Sequence, residues 1–528
     1  MSNCGIWRNL SHSTQISKLI IADKTPFSKG LLALAFLLVL LSLPDLLSSQ
    51  FTAPTISRQA HTAMMTENFV REGFSLKGLY LNIQGDSKPI VALEFPIYNS
   101  IVGLAFKVFN FSPFWGKLVS LVASLIILLG LCRLVKKYFG YVMALFSGLF
   151  FILSPLNIMM VTAFQPDATA LMFVMISLLC LDSWRENRSH VKLILFSLAV
   201  LLGGLAKYPL MVPYMPLMVG AFFFPENKFR PPKLKEIIII SILFVAPFIA
   251  WYIYRGTITD PDYFGNPAIE RSIYLLGDLS RFLSPGFYLI PAITLVILAC
   301  SGVGFFFFII GVKKISPIKL TLLMGIPFYF LIIPTASVQH YYFFACTPIV
   351  ALFMAAGFLT FINYCDQRRL AIVKLGGCAV FAAAFLTLSI YITVLRQDMV
   401  MWQAAQAIKK ISAPGDLIFV MNMHNRTNGF GGINPTLFYM AERKGWNISS
   451  SFTLESSLQQ IRTRRSQGAR WAVITWYSPA LEPSVERLIP AIFGTTSDPG
   501  INGEGYYQEI KKHFPTAMKA DNYAILKL

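Results

Sequence analysis

The sequence predicts an α-helical polytopic membrane protein of about eleven transmembrane helices, with a small C-terminal α/β domain. Three observations carry that expectation. Of 528 residues, 55% are hydrophobic and 13% charged, whereas ordinary soluble domains hold about 25% charged residues. Apolar runs of roughly 17 to 25 residues recur along the chain, the length that crosses a bilayer core. The lysines and arginines fall between those runs in alternation, as the positive-inside rule requires.

The first run, Leu31–Leu47, follows Arg8, Lys18, Lys24 and Lys29 and lacks a small-residue cleavage site. It reads as a retained helix after a cytoplasmic N-terminus at 1–29. Ten further spans are expected near 115–134, 141–160, 168–184, 192–206, 209–224, 237–254, 286–312, 320–334, 341–363 and 372–395. The segment 96–109 is apolar but too short to cross, and suits an interfacial helix. With the N-terminus inside, the five inner connections carry sixteen lysines and arginines, and the short outer ones carry Lys207 alone. The net charge of +19 is therefore a topological address, and nucleic acid is not implied. The seven cysteines form no CxxC pair and read as small buried residues, without disulfide framework or zinc-finger spacing.

The transmembrane domain is thus expected over 30–395. Three parts face outward: a first loop at 49–114, a middle loop at 255–285, and the tail at 396–528. The tail alternates strand-like 416–420, helical 454–466, strand-like 471–477 and strand-like 523–528, the pattern of a small α/β domain.

Ionisable groups where helices meet water are the default functional candidates in a membrane protein. The outer ends of the spans supply Arg58-Gln-Ala-His61-Thr-Ala63, Glu67 and Glu94-Phe-Pro96 in the first loop. Gln165-Pro-Asp167 opens the fourth span, and Lys207-Tyr-Pro209 forms a turn. The middle loop holds Arg255, Asp260-Pro-Asp262, Arg271 and Arg281, and Gln339-His340-Tyr341-Tyr342 begins a late span. All are expected on one side of the membrane at similar depth.

In this order the motifs resemble the GT-C superfamily, integral membrane glycosyltransferases that take a sugar from a polyprenyl-phosphate donor. The nearest patterns are the lipid A aminoarabinose transferases and protein O-mannosyltransferases. The resemblance runs through most of residues 30–360. It implies sugar transfer on the outer face of the cytoplasmic membrane to a lipid, glycan or protein acceptor, by a single inverting displacement.

The family motif carries Asp at the fourth position of Arg-Gln-Ala-x-Thr-Ala, thought to be the catalytic acid/base; here that position is His61. A neutral imidazole suits a general base, and Glu94 or Asp167 are the alternatives. Lys207 is expected at the donor phosphate, with Arg58, Arg255, Arg271, Arg281 and Tyr341 as further substrate contacts. One divalent metal ion on Glu94 and His340 would assist leaving-group departure; no nucleotide cofactor is expected. Asp260-Pro-Asp262 has the spacing of a cation-binding DxD and equally that of a turn. Two readings compete. A transporter would place its polar groups near the midplane on broken helices, and an inactive scaffold would account for His61 in place of Asp.

Overall fold

The computed structural model describes residues 25–51, 55–223, 233–260, 283, 285–313, 316–333, 340–395, 399–422, 435–449, 454–476 and 503–528. Helix α1 (Thr25–Leu47) is followed by two helices of the first loop, α2 (Ile56–Arg71) and α3 (Ile97–Val108). The bundle then runs through α4 (Pro113–Phe139), α5 (Tyr141–Leu153), α6 (Asp167–Asn187) and α7 (His190–Lys207). It continues with α8 (Met215–Phe223), α9 (Leu234–Ile258), the bent pair α10 (Phe287–Ala299) and α11 (Val303–Val312), α12 (Pro317–Ile332), α13 (Thr347–Gln367) and α14 (Ala371–Leu395).

Seven of the described helices are long and apolar enough to cross a membrane, or eight if the bent pair is one span. The difference from eleven has three sources. Tyr141–Leu153 and Pro317–Ile332 are apolar but short, and His190–Ala221 counts as one 32-residue stretch by length and composition, although it breaks at Lys207, where a turn between two spans was expected. The third is the 106° bend between α10 and α11, where Ser301 and Gly302 take positive φ. The expected interfacial helix is present as the 12 residues of α3.

The bundle packs closely where glycines allow it. A Cβ on Gly311 would stand 1.9 Å from the Phe353 carbonyl oxygen, and one on Gly357 would stand 1.7 Å from that of Phe307. Helices α11 and α13 therefore touch backbone to backbone, the contact that small residues permit inside membranes.

The tail opens with α15 (Met399–Ile411) and builds a five-stranded sheet in the order β2-β1-β3-β5-β4. Strands β1 (Leu417–Asn422), β2 (Lys444–Ser449) and β3 (Ala469–Thr475) are parallel, while β4 (Thr516–Lys519) and β5 (Tyr523–Lys527) join antiparallel. Helices α16 (Thr436–Ala441), α17 (Leu454–Ser466) and α18 (Gly503–Ile510) complete the domain. The expected strands and helix are all found, and β2 and β4 are additions.

This domain shares its core with the first loop. Met64, Phe69, Leu81 and Val91 pack in one cluster with Met401, Ile408, Val420 and Leu437. The loop also hydrogen-bonds to β2: Gly85 N–H donates to the Gly445 carbonyl at 2.7 Å, and Gly445 N–H donates to the Asn82 carbonyl at 3.2 Å. Burial of apolar area on both sides, at roughly 25 cal/mol per Å², makes loop and tail one body.

Candidate active site

Hairpin arithmetic brings the first pair together. Helices α6 and α7 are consecutive, of similar length, and joined across Arg188 and Ser189. Packed antiparallel, they set the first residue of α6 beside the last of α7. Those residues are Asp167 and Lys207. The Lys207 ammonium donates to both carboxylate oxygens at 2.9 and 2.8 Å, with side chains 3% and 0% exposed. Asp167 gains further from the positive end of α6. At Lys207 the helix breaks into extended backbone, φ −170° and ψ 92°, before a 3₁₀ turn at Tyr208–Tyr214. Pro209 and Pro213 lie in that turn, where their missing N–H groups prevent continuation as an α-helix.

Two aromatic rings roof the pair. The Lys207 ammonium lies 5.0 Å from the ring centre of Tyr341 and 4.7 Å from that of Tyr342. Each is within cation–π reach. Both tyrosines come from the 3₁₀ helix His340–Cys346, and both interact electrostatically with Arg58. Arg58 in turn forms an ion pair with Glu94. The Arg255 guanidinium donates to the carbonyl of Leu93 at 2.7 Å, next to Glu94, and stacks over Tyr252. Phe95 N–H donates to the Leu205 carbonyl at 3.0 Å, tying the Glu94 segment to the end of α7. Arg58, Glu94, Asp167, Lys207, Arg255 and Tyr341 thus form one connected group.

His61 lies on α2 one turn after Arg58. It is 7% exposed, and its Nε2 has no hydrogen-bond partner among the described residues. Burial, and then the Arg58 charge, hold the imidazole well below its usual pKa range, so it is neutral at pH 7. Arg271, Arg281 and Asp262 lie outside the described residues. Asp260 is described, and its backbone N–H donates to the Ile90 carbonyl at 2.9 Å.

The expected metal pair, Glu94 with His340, fares differently. The Glu94 carboxylate is engaged by Arg58, and among the described residues no three His, Cys, Asp or Glu side chains gather in a group that could hold an ion.

Several residues escaped the sequence reading. The Gln59 side chain accepts from the N–H of Phe164 at 2.9 Å and donates to Thr55 at 3.1 Å. It thereby locks the Arg58 helix to the loop that precedes Asp167. Tyr342 is as close to Lys207 as Tyr341 is. Lys117, fully buried, donates to the carbonyls of Asp45 and Gln50 at 2.7 Å each and to the Asp45 carboxylate at 3.1 Å. Thr162 donates to the same carboxylate at 2.6 Å. A lone lysine inside an apolar run was the available signal for that network.

Residues 87–251 match the family model described as dolichyl-phosphate-mannose-protein mannosyltransferase. That interval contains Glu94, Asp167 and Lys207. Comparison with curated proteins found no match. Among solved structures, ArnT from Cupriavidus metallidurans bound to undecaprenyl phosphate matches with TM-score 0.56 at 12% identity, over 96% of this chain and 98% of that one. Its apo state matches with TM-score 0.54 at 12% identity, over 95% and 98%. The fold is accordingly similar to that of the two ArnT structures.

Proposed function

We propose that the chain is a membrane glycosyltransferase that moves a sugar from a polyprenyl-phosphate donor to a hydroxyl of a lipid, glycan or protein acceptor. The observation that carries this reading is the buried Asp167–Lys207 pair beneath Tyr341 and Tyr342, next to Arg58–Glu94. A buried cation held by a carboxylate at a helix break is ready to be shared with an anionic ligand, because the desolvation cost is already met by the pair. ArnT with bound undecaprenyl phosphate supports a lipid phosphate as that ligand. The match to the mannosyltransferase family over residues 87–251 supports a sugar as the transferred group.

In the proposed reaction the donor phosphate sits between Lys207 and Arg255. The acceptor oxygen attacks the anomeric carbon and forms the new C–O bond as the bond to the phosphate oxygen breaks. Polyprenyl phosphate leaves with the electron pair, and the configuration inverts. Charge building on the leaving oxygen is met by Lys207 and Arg255 in a site of low dielectric, usually the largest catalytic contribution. The acceptor proton goes to His61 Nε2. Glu94 and Asp167 are each engaged by a cation, whereas His61 is neutral and its Nε2 has no hydrogen-bond partner among the described residues. The basic connections at the other ends of the spans support an outward-facing site in a bacterial cytoplasmic membrane, with the tail above it.

The test is donor turnover by purified full-length protein in lipid, with radiolabelled polyprenyl-phosphate sugars and membrane extract as the acceptor source. Label is expected to move to an extract component, and His61→Ala is expected to lower the rate by about 10² or more, the scale of general-base catalysis. Turnover unchanged in His61→Ala, Glu94→Gln and Asp167→Asn would remove this site from the reaction, and no turnover with any donor would sink the reading.

A further inference from the structure

A cavity of about 100 Å³ opens between α4, α6, the α8 segment, α12 and α13, running from Met175, Tyr214 and Pro348 to Asp182 and Arg185. Asp167 and Arg185 lie 18 residues apart on α6, so at 1.5 Å per residue the charged lip of the cavity stands about 27 Å from the candidate site. The walls are apolar, with Leu131, Val135, Met175, Leu178, Leu217 and Leu352 among them, and the charged side chains on the lining are Asp182 and Arg185.

These two differ in how they are satisfied. The Asp182 carboxylate accepts from Lys137 at 2.6 Å and also from the Tyr138 hydroxyl. Lys137 holds Glu186 as well, at 2.7 Å. The Arg185 Nε is buried and has no hydrogen-bond partner, and no carboxylate pairs with this guanidinium among the described residues. The lip therefore offers a guanidinium that no described carboxylate pairs, above a slot that water does not fill favourably.

We propose that this cleft binds an anionic glycerophospholipid, its phosphate on Arg185 and a part of one acyl chain in the apolar slot. Arginine's fork matches a phosphate oxygen pair, and the end of a membrane-crossing helix lies at the depth of lipid headgroups. A zwitterionic lipid brings its own ammonium to the same lip and gains less. A soluble phosphate leaves the apolar slot unfilled. The proposal does not rest on the sugar-transfer reading.

The test uses the full-length protein in detergent micelles, with lipid binding followed by native mass spectrometry and by thermal shift. Dioleoyl phosphatidylglycerol, dioleoyl phosphatidylcholine and glycerol 3-phosphate are compared. Phosphatidylglycerol is expected to bind at least tenfold tighter than phosphatidylcholine. Arg185→Ala is expected to abolish that preference, and Ala221→Phe, which fills the slot from its wall, to weaken both lipids. Arg185→Gln, which keeps a polar group at the lip, serves if the alanine variant melts below wild type without lipid. Equal binding of the two lipids, a preference that survives loss of the arginine charge, or saturation by glycerol 3-phosphate alone would each overturn the proposal.

Discussion

Two residues decide whether the buried pair serves ligand binding or only the fold. Replacing Lys207 with Met leaves Asp167 as an unpaired buried charge and is expected to cost about 3–5 kcal/mol. Replacing both, Lys207→Met with Asp167→Leu, removes the uncompensated charge, and most of the lost thermal stability should return. Donor turnover should stay at least 100-fold down in both. Recovery of turnover with stability would make the pair purely structural. His61 is separable by pH. A general base works only when deprotonated, and this imidazole titrates well below its usual range. The acid limb of kcat/KM should therefore lie below pH 6.5. His61→Asp, which restores the residue of the resembling motif, should keep far more activity than His61→Ala. Most of this site was legible in the sequence because polar residues at the ends of apolar runs stand out against their background. What could not be read was pairing. Asp167 was expected as a possible base and Lys207 as a phosphate ligand, and nothing along the chain says that the two engage each other. Gln59 was quoted only as part of a motif, because its partner is a backbone N–H 105 residues away.

Helices and strands were legible to different degrees, for reasons of length. The long spans were recognisable because a continuous apolar run has few other readings. Short apolar helices such as α5 and α12 were counted as full spans because hydropathy cannot mark where a helix stops. Strand β2 was missed because its sequence, Lys444-Gly-Trp-Asn-Ile-Ser449, carries glycine and asparagine that strands usually avoid. The structure explains the glycine. A Cβ there would stand 1.7 Å from the Ile418 carbonyl oxygen, so the parallel pairing with β1 requires its absence. Close approach governs the bundle in the same way. Gly357→Leu places a branched side chain where two helix backbones meet, and it should lower the melting temperature of purified protein far more than Gly376→Leu. Gly376 lies in α14, and no atom comes within 4 Å of where its Cβ would stand. Equal effects would mean that α11 and α13 do not meet at that glycine.

The whole molecule turns on the junction between the first loop and the tail. Tyr439, from α16, stacks on Phe51 with ring centres 5.4 Å apart and lies beside Glu67 on α2. Burial pushes the Glu67 carboxyl up to about 7, against the opposing pull of Arg71 and Tyr439. The sign follows from linkage: an unfolded glutamate ionises near its ordinary value, so the folded state binds more protons between there and pH 7. Stability should be fully present at about pH 4.5 and below, and decline as pH rises to about 7. The loss is about 2 kcal/mol after allowing for partial solvent access. Glu67→Gln should flatten that dependence, raising the melting temperature at about pH 8 and leaving it nearly unchanged at about pH 4.5. A melting profile as steep as wild type would place the proton elsewhere. The shared core of Met64, Phe69, Leu81 and Val91 with Met401, Ile408, Val420 and Leu437 also bears on how the chain is made. More than 300 residues separate the halves of that cluster, and at about 5–20 residues per second of synthesis the first half waits on the order of 15–60 seconds for its partners. Throughout that interval the helix bearing Arg58 and His61 exists without its cover. A ribosome halted before residue 400 would leave it open to proteases and chaperones, so the nascent chain acquires its candidate active site among the last events of its biogenesis.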